Sequence, residues 1–197
     1  MSTVVAIVEG DGEVQAVPVL LRRLAEWLSP DSGLTVGRPI KVHRDRFIRK
    51  DDEFRRMLLL AEAKVGSAGW VLVLLDADDD CPVKLASSIA TRAKAVLPHC
   101  AVSVVCANRE FEAWFIASAE SLSGRRGLLV AAGDSPRDPD AIRGAKEWLS
   151  GRIVEGRYRE TTDQPAFAAV MDLELARQRS RSFRKLCTDW SRFALIA

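Results

Sequence analysis

Two acidic stretches hold the side chains best suited to chemistry in this chain. One is Glu9-Gly10-Asp11-Gly12-Glu13 and the other is Asp76-Ala77-Asp78-Asp79-Asp80. Asp76 and Asp78 are one residue apart, and just past a strand end such a pair can point toward one ion. Hard oxygen donors of this kind suit Mg²⁺ or Mn²⁺. Four or five carboxylates gathered without a cation would repel one another strongly. A metal relieves that repulsion, can contact phosphate oxygens of a substrate and can activate a water. Glu9, Asp76 and Asp78 are therefore the expected metal-binding and catalytic set. Asp79 and Asp80 are expected to cap the following helix and favour its positive end. Glu13 is either a ligand of a second metal or a first-turn helix acid. Glu112 either contacts metal or pairs with Arg109.

These residues are far apart in sequence, so the fold must bring them together. Residues 3–8 form a β-branched, apolar run that ends in the turn chemistry of Glu9 to Gly12. Apolar residues then recur at helical spacing at Val14, Val17, Leu20, Leu21, Leu24 and Leu28, with Pro18 a predicted kink or start. Residues 39–43 read as a weak strand and 52–65 as a helix. Residues 70–75 are a continuous apolar run, as in a strand buried on both faces of a parallel sheet. A helix over 82–97 begins with Pro82, a second buried strand covers 101–106, and a helix covers 110–119. After a Gly-, Pro-, Asp- and Arg-rich loop over 124–139, helices are expected over 141–149, 164–177 and 182–193.

Alternation of strands and helices predicts an α/β fold, a Rossmann-like parallel sheet flanked by helices, followed by a helical C-terminal extension. Ligands of such sheets bind beyond the carboxyl ends of the strands. Glu9, Asp76 and the Glu110/Glu112 pair each follow a strand, so topology alone should bring them to one edge.

The formal net charge is only +2, but charge is unevenly placed. Residues 38–56 carry eight Lys/Arg against four Asp/Glu, and residues 177–185 carry five basic residues and no acid. An acidic focus with basic flanks fits a polyanion held near a metal. Lys41, Arg44, Arg46, Arg49, Lys50 and Arg109 are the candidate phosphate contacts, and nucleic acid is the expected partner. For any single charge run the simpler alternative is a solvated helix face.

Other chemistries lack their signatures. Four cysteines show no metal or disulfide spacing and read as reduced thiols in a cytoplasmic protein. No basic leader precedes the first strand and no apolar run reaches membrane-spanning length. Gly10-Asp11-Gly12 lacks the third glycine of a dinucleotide fingerprint, and no P-loop is present. His43 and His99, the only histidines, make no catalytic constellation. The five tryptophans read mostly as core.

At Val8-Glu9-Gly10-Asp11-Gly12-Glu13 and Leu75-Asp76-Ala77-Asp78 the chain resembles the TOPRIM domain of primases, topoisomerases and OLD-family nucleases. The Glu-Gly-x-x-Glu form is closest to the OLD-type nucleases. The resemblance implies a TOPRIM-like metal-binding domain over 1–122 and a helical extension packed on it over 123–197. The whole chain is similar to a family of small bacterial TOPRIM-like proteins of uncharacterised function. Asp78-Asp79-Asp80-Cys81-Pro82, Arg109 to Phe115, Tyr158 to Gln164-Pro165, and Ser180 to Leu186 carry that likeness. It implies Mg²⁺-dependent phosphodiester chemistry, and a setting beside ATPases in phage-defence or mobile-element loci. The one tyrosine, Tyr158, has nothing that marks it as a topoisomerase nucleophile, and the zinc of primases has no ligands here.

Two functions are therefore expected. One is a Mg²⁺-dependent nuclease or phosphoryl-transfer enzyme acting on nucleic acid. The other is a non-catalytic or partner-activated effector that works with an ATPase.

Overall fold

The structure, a computed structural model, describes residues 2–131 and 133–194. The β-branched run at the start forms β1 (Thr3–Val8), and the amphipathic segment after it forms α1 (Asp11–Leu28) without interruption at Pro18. Two short strands follow, β2 (Thr35–Val36) and β3 (Ile40–Lys41). Next come α2 (Arg44–Arg49), α3 (Asp51–Val65), β4 (Trp70–Asp76), α4 (Pro82–Val96) and β5 (Ala101–Ala107). The remainder is helical: α5 (Ala113–Ala117), α6 (Ala119–Leu122), a 3₁₀ turn (Pro139–Ala141), α7 (Ala145–Ser150), α8 (Glu160–Ala168), α9 (Leu173–Arg179) and α10 (Arg181–Ala194).

The five strands form one parallel sheet. β2 and β3 both pair with one edge of β1, β4 pairs with its other edge, and β5 lies outside β4. The chain thus leaves β1 in one direction and returns across it to β4. Right-handed crossovers then place α1 on one face and α3 and α4 on the other. Strand alternation fits this split. Val4, Ala6, Val8, Trp70, Leu72 and Leu74 pack with α1, while Val5, Ile7, Val71, Val73 and Leu75 pack with α2, α3 and α4.

The C-terminal helices share the α1-side core. Phe167, Phe183, Leu186 and Trp190 belong to the same apolar cluster as Val4 and Leu72. Arg23 of α1 donates to the carbonyls of Ala168 and Met171 (2.9 and 2.8 Å), pinning the end of α8. The start of α10 is held by Ser180, whose hydroxyl accepts from Phe183 N–H and donates to buried Asp140 (3.1 and 2.7 Å).

Several boundaries differ from the sequence expectation. The second strand is split into β2 and β3 rather than running over 39–43, because both are short pieces that lean on opposite ends of β1. The expected helix over 110–119 begins only at Ala113 and breaks at Ser118. The expected helix over 164–177 is two helices: α8 ends at Ala168, and Asp172 restarts the chain by accepting from Leu175 N–H (2.9 Å). The basic segment after β3 forms α2, with Phe47 buried against Phe54.

Candidate functional site

The order of the parallel strands reverses between β1, which carries β2 and β3 on its other edge, and β4. A crevice opens at the carboxyl ends of strands where such a reversal occurs. Glu9 follows β1 there, and Asp76 ends β4. Glu13 lies one turn into α1, and its Oε2 accepts from Glu9 N–H (3.0 Å). Glu13, the third residue of the helix, thus reaches back over the helix start to the residue before its N-cap, Gly10. Gly12 is required by close approach. A Cβ there would meet Gln164 Oε1 at 2.2 Å and the Glu160 carbonyl oxygen at 2.7 Å, so α8 lies directly on the α1 start.

Four carboxylates act on one another at this place. Glu13 and Glu112 are buried, Glu9 and Asp76 partly so. Burial pushes the Glu13 carboxyl up to about 7, and the charges of Glu112 and Glu9 add to it while hydrogen bonds from Glu9 and Gly10 N–H oppose it. Burial, then Glu13, Glu112 and Glu9, raise the Asp76 pKa well above its ordinary value. Burial and Asp78 raise that of Glu9, with Arg44 and Lys146 opposing. Burial also raises Glu112, against the pull of Lys146.

Glu112 has the most enclosed carboxylate. Its Oε1 accepts from Tyr158 Oη (3.1 Å) and Gln164 Nε2 (2.7 Å). Its Oε2 is buried without a hydrogen-bond partner, as is Glu9 Oε2. Such orphan oxygens cost free energy unless something else meets them. Burial and Glu112 hold the Tyr158 phenol above its ordinary pKa, in keeping with its role as a donor to Glu112.

The rest of the acidic run turns outward. Asp78 adopts φ 50°, in the left-handed region that Asp tolerates. Its carboxylate lies 3.5 Å from Arg44 Nε and is largely exposed. Asp79 pairs with Arg143 and Arg109 (2.6 and 3.0 Å), which hold its carboxyl below the ordinary value. Asp80 pairs with Arg44 (2.6 Å). The helix-capping role expected of Asp79 and Asp80 is therefore replaced by arginine pairing: the residue before α4 is Cys81, and no side chain caps that helix.

The basic candidates separate likewise. Arg44 donates to the carbonyls of Asp76 and Ala77 (2.9 and 3.3 Å), so it fastens the chain leaving β4. Lys41 pairs with Asp11 (2.7 Å). Arg109 pairs with Asp79 and not with Glu112. Arg46, Arg49 and Lys50 are exposed on or beside α2 at the same sheet edge. Glu110 does not join the carboxylates. Its Oε1 accepts from Gly144 and Ala145 N–H (both 3.1 Å) and fixes the start of α7.

Sequence reasoning missed Lys146, Glu160 and Gln164 as parts of this site. Lys146 pairs with Glu160 (2.9 Å). Tyr158 and Gln164 lay in a segment noted only for its family likeness, and nothing in the local pattern around Lys146 pointed to the acidic cluster.

Among the described residues, no three acid, histidine or cysteine side chains close on one point as a preformed cage does. Mg²⁺ keeps several of its waters and does not need one. The oxygens of Glu9 and Asp76, with the orphan oxygens nearby, fit a hydrated ion held on one side better than an enclosed one. The apolar groove between α4 and α10, about 540 Å³ along the outer edge of β5, is lined by none of the four carboxylates. Of the cysteines, Cys106 and Cys187 are buried and raised by that burial to about 12, so they are inert thiols. No helix among the described residues is long and apolar enough to cross a membrane.

Fold and site together define an α/β domain with a carboxylate cluster at the switch point of a parallel sheet. The chain belongs to the family described as Domain of unknown function (DUF4276), whose model matches residues 8–189. No curated protein and no solved structure matches it.

Proposed function

We propose that this protein is a Mg²⁺-dependent phosphodiester hydrolase acting on nucleic acid, with a TOPRIM-like site. One observation carries the reading. Glu9 and Glu112 each bury an unpartnered carboxylate oxygen beside Asp76 and Glu13, at the sheet edge where such folds bind ligands. Protein groups leave those oxygens unmet, and a hydrated divalent cation would meet them.

Glu9 and Asp76 would hold the metal, with Asp78 close enough to act on the Glu9 charge. Glu13 keeps the helix start in place and, with a pKa near 7, can take or give a proton at the working pH. Glu112, fixed by Tyr158 and Gln164, would add negative charge to the site. Bound Mg²⁺ would polarise a phosphoryl oxygen and lower the pKa of an attacking water. Arg46, Arg49 and Lys50 grip the substrate backbone, and Arg44 keeps the β4 end rigid.

The test is cleavage of plasmid, single-stranded DNA and tRNA by purified protein with Mg²⁺ or Mn²⁺. Wild type should cut at least one of these and Asp76→Asn none. Equal behaviour of the two removes this site from catalysis on those substrates.

A second reading is favoured by the lack, among the described residues, of three acid, histidine or cysteine side chains that close on one point. The resting site is latent, and a partner ATPase, in a phage-defence setting, completes it. Cleavage that appears only when such a partner is added supports this reading, and full activity of the isolated chain removes it.

A further inference from the structure

The outer edge of the sheet is open. Among the described residues β5 pairs with β4 alone. The Ala107 carbonyl accepts from Ala77 N–H on the β4 side (2.9 Å). Backbone amides alternate in direction along a strand, so those of Ser103 and Val105 also face β4, while those of Val102, Val104 and Cys106 face away from it. No other backbone or side chain among the described residues takes up these edge groups. An unpaired row of N–H and C=O groups is a template for another strand.

The groove of about 540 Å³ runs along this edge, and Val102, Val104 and Cys106 lie in its floor. α4 and α10 pack on opposite faces of the sheet and form its walls. The α4 wall is made of small side chains, Ala86, Ser87 and Ala90, beside Val83, which is 75% exposed. The slot thus lies in line with the sheet, where an added strand would sit about 4.8 Å from β5. The α10 wall is basic, with Arg181, Lys185 and Arg192. The two acids of the groove are already engaged. Asp140 accepts from the hydroxyls of Ser180 and Ser182 and from the N–H groups of Arg181 and Ser182. Asp189 accepts from Ser103 and Lys185. α4 carries no acid. Arg181 and Arg192 are exposed, and neither pairs with an acid among the described residues. Along α10 they stand about 16 Å apart, the length of about five extended residues. Two copies laid edge to edge would bring these like charges together, so the charge favours an acidic occupant over a second copy.

We propose that the β5 edge is a docking site for an extended acidic segment of a partner protein, which adds to the sheet as a further strand and sets its carboxylates on Arg181 and Arg192. Main-chain hydrogen bonds to Val102, Val104 and Cys106 supply the affinity, and the apolar α4 wall and the basic α10 wall supply the choice of side chains. The proposal does not depend on the metal reading of the carboxylate cluster, none of whose four residues lines the groove.

The test is selection of phage-displayed random peptides on the wild-type protein, followed by titration of the most enriched peptide into wild type, Ala90→Trp and the Arg181→Glu/Arg192→Glu double variant. Ala90 and both arginines are exposed, so all three proteins should melt alike. Enriched peptides should carry acidic residues around a β-branched run, with no proline inside it, since proline cannot donate to a ladder. Ala90→Trp fills the slot and should weaken binding about tenfold or more. The double variant should weaken it about tenfold at low salt and less at high salt. Bound peptide should slow hydrogen exchange at the amides of Val102, Val104 and Cys106, which contact through side chains alone would not do. Enrichment of no peptide, binding that ignores Ala90→Trp or the charge reversal, or unchanged exchange at those amides overturns the proposal. So does a wild-type dimer that Ala90→Trp abolishes, which assigns the edge to a second copy, or binding of single-stranded DNA that both variants lose, which assigns the groove to nucleic acid.

Discussion

The chain carries two groups of carboxylates that meet at the end of β4, and they have opposite fates. Asp76, with Glu9, Glu13 and Glu112, lies in a crevice where burial raises every one of the four pKa values. Asp78, Asp79 and Asp80 are exposed, and Arg44, Arg109 and Arg143 pair with them. Asp76 and Asp79 are the same residue type three positions apart, yet one is pushed up and the other down. Composition does not separate them; distance from water and the sign of the nearest charge do. The buried group keeps carboxylate oxygens without a hydrogen-bond partner, whereas the exposed group has its arginines.

Closing α8 over α1 is what makes the first group buried, so breaking that closure should have the largest effect. Gly12→Ala must push a Cβ into Gln164 and the Glu160 backbone. We expect a loss of about 3 kcal/mol in urea unfolding, at the upper end for overpacking. Glu13 should then titrate closer to its ordinary 4.5, as followed by NMR.

The pH dependence of stability is next in size. Glu13 has its folded pKa raised from 4.5 to about 7. Its contribution is therefore full below pH 4.5 and is lost as pH rises through about 7. Glu13→Gln stays neutral throughout. In metal-free buffer it should match wild type near pH 4 and exceed it by about 2 kcal/mol near pH 8. A wild type that stays as stable as Glu13→Gln across this range would show that burial does not perturb the cluster. Metal binding needs the ionised carboxylates, so Mn²⁺ affinity should rise across the same window.

Smaller effects belong to the outer group. Arg44→Ala removes two hydrogen bonds to the β4 exit and the pair with Asp80. A loss of about 1.5 kcal/mol is expected, since hydrogen bonds from charged groups exceed neutral ones. Asp79→Asn should leave the melting temperature unchanged, because its arginine pairs are exposed. A melting shift as large as that of Arg44→Ala would erase the contrast between the two groups.

Much of this was legible in the sequence. Residues 70–75 could be read as a doubly buried strand because every position is apolar, and strand-end logic then placed Glu9 and Asp76 at one edge. The parallel sheet followed from alternation. Less legible was anything set by contacts distant in sequence. Lys146 lies on a six-residue helix positioned by Glu110, 36 residues earlier by sequence number, and no local spacing encodes that. The break in the helix expected over 164–177 depends on Arg23 of α1, which satisfies the freed carbonyls of Ala168 and Met171. The outward turn at Asp78 depends on the crossing of two chain exits, since its N–H donates to the Arg109 carbonyl (3.0 Å). A period-based reading cannot see such pairings.

The contrast between the two acidic groups reduces to one measurement: calorimetric titration of Mn²⁺ into wild type, Asp76→Asn and Asp79→Asn at pH 8. Wild type and Asp79→Asn should bind with affinities within about twofold of each other, and Asp76→Asn should lose binding by about a hundredfold or more, as expected when a direct ligand of a hard cation is removed. Binding that survives in Asp76→Asn, or is lost in Asp79→Asn instead, would contradict a metal site built on the buried carboxylates.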